Sequence, residues 1–250
     1  MSGHSKWSKV KRFKGAIDAK RGKIFSKLSK EITIAAKSGG DPNGNPRLRS
    51  AILAARAQSM PNDNIERAIK RGTGEGNDAQ HFDEIVYEGY GPGGVAVIVD
   101  AATDNKNRTA AEIRSIFSKN NGNLASAGSV SYMFHKKGRI TVPLSSVDED
   151  RLLELALEAG AEELTTEEDE YVVITSHDQL YAVVDALKNA GVTTDGQKFT
   201  FIPDTTVPVA DETVARQVLR LCDALEDDDD VQNVYSNLEI PDELLARLPA

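Results

Sequence analysis

The chain has 250 residues, 40% of them apolar, which excludes wholesale disorder and predicts two or three packed domains. No run approaches the ~20 consecutive apolar residues of a membrane span, and the basic N-terminus lacks the apolar stretch of a secretory signal, so a cytoplasmic protein with no membrane partner is expected. The net charge of −9 is the sum of unlike segments: residues 1–76 carry 17 Lys and Arg against 6 Asp and Glu (net +11), residues 77–140 carry seven of each, and residues 141–250 carry 6 against 26 (net −20).

The first 14 residues, MSGHSKWSKVKRFK, contain Lys6, Lys9, Lys11, Arg12 and Lys14, no acid, and two interleaved aromatics, Trp7 and Phe13. They read as a mobile basic arm. From about Ala16 to Ala36 the apolar residues Ile24, Phe25, Leu28, Ile32 and Ala35 fall within one arc at helical spacing. Lys20, Lys23, Lys27, Lys30 and Lys37 form a neighbouring stripe that is expected to face water, spoiled only by Ile34. Gly39, Gly40, Asp41 and Pro42 stop this helix. Pro46 opens a second, with Leu48, Ile52, Leu53, Ala57 and Met60. A third begins near Asp63, which has capping-box spacing to Glu66, and is predicted to end at Gly72 after Arg67, Lys70 and Arg71.

Residues 73–81 have linker composition. Strands are predicted at Ile85 to Tyr90 and Val95 to Val99, joined through Gly91–Pro92–Gly93–Gly94, followed by a helix from about Asn107 to Lys119 and a strand at Val130 to Phe134. Residues 138–203 then alternate as strand (Arg139 to Val142), helix (Asp148 to Ala159), strand (Glu162 to Leu164), strand (Tyr171 to Thr175), helix (Gln179 to Ala190) and strand (Lys198 to Ile202). This βαββαβ order is that of ferredoxin-like domains. A helix at Asp211 to Leu225 and a strand at Val231 to Tyr235 follow. One helix and one strand cannot bury a core alone, so they are assigned back to the earlier strands. The expected architecture is α+β and multidomain: a basic helical domain at 1–76, a discontinuous α+β domain at 82–136 plus 205–250, and a ferredoxin-like α+β domain at 138–203 inserted in it.

Catalytic signals are weak. His4, His81, His135 and His177 are scattered without metal-ligand spacing, and the lone Cys222 sits on the apolar side of a helix and forms neither a disulfide nor a thiolate zinc cage. The run Gly89 to Gly94 matches no phosphate-loop pattern and reads as a turn. Asp227 to Asp230 lacks calcium-loop spacing and reads as a helix exit or a repulsive acidic rim. Asp100, Asp104 and Glu112 read as loop and cap residues. No enzyme activity, metal, cofactor or small-molecule substrate is expected.

The cations are different in kind, because they reinforce one another. Lys6, Trp7, Lys9, Lys11, Arg12 and Lys14 of the arm, Lys20, Arg21, Lys23, Lys27 and Lys30 of the first helix, and Arg47, Arg49, Arg67, Lys70 and Arg71 of the next two are the candidate nucleic-acid contacts. Affinity for a phosphate backbone comes from many cations spread over a surface, and interleaved aromatics can stack on unpaired bases. The alternative is complementarity between the basic and acidic ends of the chain itself.

The blocks GHSKW (3–7), DAKRGKIFSKL (18–28), NPRLR (45–49), DNIERAIKRGTG (63–74), YEGYGPGG (87–94), TDNKNRT (103–109), GSVSYMFHKKG (128–138) and DDVQNVYSN (229–237) resemble the YebC family across nearly the whole chain. The short linker at 75–81 departs from that pattern. The resemblance implies a three-domain bacterial cytosolic protein, classed as a probable transcriptional regulator. It also relates the chain to mitochondrial translational activators and to bacterial proteins linked to stalled ribosomes. The expected partner is accordingly DNA, with ribosomal RNA and the ribosome as the alternative.

Overall fold

A computed structural model describes residues 19–75, 81–167 and 169–247; the arm with Lys6, Trp7, Lys9, Lys11, Arg12 and Lys14, and the side chains of Lys20 and Arg21, lie outside what it describes. Three helices come first: α1 (Ala19–Ala36), α2 (Pro46–Ala57) and α3 (Asn62–Thr73). Their apolar faces meet in one core built on Ile32, Leu48, Ile52, Ala55, Ile65 and Ala68. Asn45 caps α2 by accepting from the Leu48 N–H, as a residue of its type should.

Two features of α3 differ from the sequence reading. The capping box of Asp63 and Glu66 is not formed: Pro61 is the cap, no side chain closes it, and Asp63 lies inside the first turn, where its charge suits the positive helix end. The helix also runs through Gly72 and stops only at Gly74, whose φ of +76° is left-handed. Gly72 serves packing instead: a Cβ there would lie 2.2 Å from the Thr33 carbonyl oxygen and 2.7 Å from the Ala36 Cβ. Helices α1 and α3 touch at this point.

Two antiparallel four-stranded sheets follow. The first has the order β3-β1-β2-β9, from β1 (Asp83–Tyr90), β2 (Ala96–Thr103), β3 (Asn123–Leu124) and β9 (Val231–Ser236). Strands β1 and β2 pair along their full length around a turn in which Gly93 and Gly94 take φ of +70° and +75°. Helices α4 (Lys106–Lys119) and α7 (Glu212–Glu226) cover one face, where Phe117, Leu221, Cys222 and Leu225 bury Val97, Val99 and Val231. The sheet therefore joins residues near 83–124 to residues near 231–236.

The second sheet has the order β5-β6-β4-β7, from β4 (Phe134–Pro143), β5 (Ala161–Thr166), β6 (Glu170–Ser176) and β7 (Gly196–Pro203). Helices α5 (Glu149–Glu158) and α6 (Leu180–Asn189) pack on one face through Leu152, Ala156, Val183 and Leu187. This is the ferredoxin-like order. The sequence reading split β4: the expected strand at Val130 to Phe134 is a turn over Ser131–Met133, and one strand runs on from Phe134. The cause is Glu88, whose buried carboxylate accepts the N–H groups of Gly128, Val130 and Ser131 at 2.7–2.9 Å and coils that segment. Burial pushes the Glu88 carboxyl up, but these backbone donors outweigh it and hold it below its ordinary value. Short strands β8 (Val207–Pro208) and β10 (Leu238–Glu239) pair in parallel, and α8 (Asp242–Leu245) ends the described chain.

The three units touch. Ala96, Ile98 and Tyr235 on the free face of the first sheet pack against Phe134 and Phe201 of the second, and Ile34 of α1 packs against Phe82 and Ala102.

The close contact at Gly72 gives a paired prediction. Gly72→Ala should cost about 1–3 kcal/mol in urea unfolding through overpacking. At Gly22 a Cβ would meet nothing within 4 Å, so Gly22→Ala should be neutral or should gain about 0.5–1 kcal/mol. Equal effects at the two glycines would contradict the packing described.

Candidate nucleic-acid interface and its acidic partner

Lys23, Lys27 and Lys30 recur at i, i+4 and i+7 and so share one face of α1. That face is covered along part of its length by the acidic turn. Lys23 Nζ donates to the Asp227 carbonyl at 2.9 Å and lies 3.6 Å from its carboxylate. Lys27 Nζ donates to the Glu226 carbonyl at 2.7 Å. Lys30 Nζ donates to the Asp229 carbonyl and to Asp230 Oδ1, both at 2.7 Å. The stripe is laid along the C-terminal end of α7 and the acidic turn after it, where helix-end carbonyls carry negative partial charge. Lys37 at the far end donates to the Phe82 carbonyl at 2.5 Å. Ile34, which interrupts the stripe in sequence, is its apolar centre, 5% exposed.

Asp230 is the innermost acid. Its Oδ2 accepts from Arg108 Nη2 at 2.7 Å and lies 2.7 Å from the Thr109 hydroxyl and 3.1 Å from that of Thr103. Burial pushes the Asp230 carboxyl up, but the hydrogen bonds from Arg108, Lys30 and Thr109 outweigh it and hold the group well below the usual carboxylate range. Glu112, Asp228 and Asp230 bring carboxylate oxygens within 4.8 Å of one another, yet both oxygens of Asp230 are already engaged by cations and hydroxyls. The Asp227–Asp230 run is thus neither a plain helix exit nor a repulsive rim, because it attracts the basic helix.

The arginines of α2 also reach across units. Arg47 bridges Glu31 of α1, at 2.8 Å, and Glu84 of β1, at 2.6 Å. Burial lowers the Arg47 pKa, and the two carboxylates more than reverse that. Arg49 meets Asp185 of α6 at 3.0 Å, and Ser50 accepts from Gln197 of β7 at 2.7 Å. At the end of α3, Arg67 bonds Asn64 and the Asp63 carbonyl of its own helix, Lys70 is exposed, and Arg71 lines the cleft between α1 and the acidic turn with Ser26, Ser29 and Phe82. Among the described residues, the cations singled out in the sequence therefore do not form one surface: Lys23, Lys27, Lys30, Arg47 and Arg49 hold the helical unit to the others, whereas Arg67 and Lys70 turn outward.

Sequence reasoning missed Asp230, Arg108 and Thr109 as a group. It also placed Asp100 in a loop, whereas Asp100 is a strand residue of β2 paired with Asn233 of β9. Burial pushes the Asp100 carboxyl up to about 6, with Lys136 and a hydrogen bond from Tyr235 opposing and Glu84 and Glu31 adding to the rise. A carboxyl raised in the folded state favours its neutral form there, so its contribution to stability is full below about pH 4 and is lost as pH rises through about 6.

The fold and this junction define the class: a basic three-helix unit docked onto two α+β units, one of them ferredoxin-like. Residues 5–75 match the TACO1/YebC protein N-terminal domain, and residues 82–238 match the TACO1/YebC second and third domain. The chain belongs to the TACO1/YebC family. Among its relatives, a probable transcriptional regulatory protein of Desulfotalea psychrophila is 57% identical over 249 residues, with 99% of each chain covered. One from Geobacter sulfurreducens is 55% identical, covering 99% of this chain and 100% of its own. The crystal structure of a conserved hypothetical protein from Aquifex aeolicus matches with a TM-score of 0.83 at 49% identity, covering 92% of this chain and 95% of that one.

Asp100 supplies the prediction here. Asp100→Asn should raise unfolding free energy over the parent by about 1–3 kcal/mol at pH 8 and by little at pH 4, in urea titrations at each pH. A constant difference across that range would contradict the assigned protonation.

Proposed function

We propose that the protein is a non-enzymatic, nucleic-acid-binding regulator of gene expression that acts in transcription through its basic N-terminal domain, residues 1–76, in the cytoplasm. The observation that carries this reading is the net +11 of that segment inside a chain of net −9. Its interdomain pairs engage Lys23, Lys27, Lys30, Arg47 and Arg49, five of its 17 Lys and Arg residues, while Arg67 and Lys70 are exposed on α3. The names of the relatives support the transcriptional assignment, and the lowered Asp230 carboxyl is accounted for by its contacts with Arg108, Lys30 and Thr109. No described helix is long and apolar enough to cross a membrane.

Lys6, Lys9, Lys11, Arg12 and Lys14 then act with Lys20, Arg21, Arg67, Lys70 and Arg71 as phosphate contacts, and Trp7 as a stacking group. Phosphate contacts position a protein without reading sequence, so regulation requires a further preference among sites. The best DNA site should exceed random duplex by at least ~10³ in affinity at physiological salt. Charge reversal of Lys6, Lys9 and Lys11 to Glu should flatten the salt dependence of log K by roughly 0.9 per lost contact. Slight site preference together with co-sedimentation with ribosomes through residues 1–76 would replace this reading with one in translation.

A further inference from the structure

We infer that the acidic turn 226–230 is a built-in stand-in for a phosphate backbone: it occupies the lysine stripe of α1 in the docked protein, and a polyanion competes with it for Lys23 and Lys27. This rests on the nucleic-acid reading of the N-terminal domain and adds a regulation of it.

The contacts on the acidic side are those a phosphodiester would offer, single oxygens presented in succession: the carbonyls of Glu226, Asp227 and Asp229 and the carboxylate of Asp230. Each ammonium takes a single oxygen or a close cluster of them, a need that is indifferent to whether the oxygen belongs to a peptide or a phosphate. The latch is also graded along its length. At its inner end the side chains of Lys30 and Asp230 are 12% and 7% exposed, and Arg108 shares the same carboxylate. Beside them Ile34 meets Phe82 and Ala102. At its outer end the side chains of Lys23 and Asp227 are 44% and 68% exposed. Exposed pairs of that kind contribute ~0–1 kcal/mol and are screened by salt, whereas breaking a buried one costs several. Opening therefore starts at Lys23. A polyanion arriving from solvent thus reaches Lys23 and Lys27 before the buried anchor. Docked, the protein shows a polyanion only part of its positive charge; bound, it frees the acidic turn.

The test uses the full chain and a random-sequence 20-base-pair duplex. Asp227 and Asp229 are exposed, so D227N/D229N changes the charge of the turn without removing a core group. D150N/E158Q, exposed acids of α5, makes the same change in net charge away from the stripe. D227N/D229N should bind the duplex at least threefold more tightly than D150N/E158Q. In parallel, spin labels at Ser26→Cys and Glu212→Cys should report a longer separation in D227N/D229N, or in the parent on adding duplex. Equal affinities for the two variants, with the parent still binding and label distances unchanged, would overturn the competition alone. Longer distances in D227N/D229N with no binding by any form would overturn the nucleic-acid reading and the competition with it.

Discussion

The arrangement of this protein depends on one buried carboxylate. Asp230 lies where the N-terminal helices, the start of α4 and the turn before β9 converge, and it meets Lys30, Arg108, Thr103 and Thr109 at once. A buried charge is tolerated only when its partners replace the water it has lost. Here the partners come from two stretches, Lys30 and residues 103–109, and the carboxylate from a third, so satisfying one group brings those stretches together. Thr103 and Thr109 fix the carboxylate from the sheet and helix beside it, Arg108 adds the first cation, and Lys30 brings the second on α1.

The same contact explains the charge segregation that dominates the sequence. A segment of net +11 and one of net −20 would each be strained by self-repulsion. In the folded chain the basic helix crosses the acidic turn, and Arg47 and Arg49 reach Glu84 and Asp185 on the other two units. Domain docking thus draws on cations of the same helices that carry the candidate nucleic-acid contacts. Of the two readings of the charge pattern, complementarity within the chain is the one these pairs display.

The elements were largely legible, because local signals decide them: the arc of Ile24, Leu28 and Ile32, the Asn45–Pro46 start, and the alternation through β4 to β7. Boundaries failed where a distant group intervenes. Glu88 coils residues 128–131, which look like a strand, and the close approach of Thr33 explains a glycine at 72 that looks like a helix stop. The site was legible only by half. A lysine stripe at helical spacing is visible, but its partner lies about two hundred residues away and is offered mainly as backbone carbonyls, which carry no residue signature. Ile34 was the available clue: an apolar residue inside a charged stripe marks a face that is covered.

The central claim is that Lys30 and Asp230 act as a unit that secures the helical domain, and a double-mutant cycle in urea unfolding of the full chain addresses it directly. Lys30→Met and Asp230→Asn should each cost about 3 kcal/mol, because each removes one charge of a buried ion pair. The double variant should cost less than the two together by at least ~1 kcal/mol. Small single effects that simply add would contradict the account.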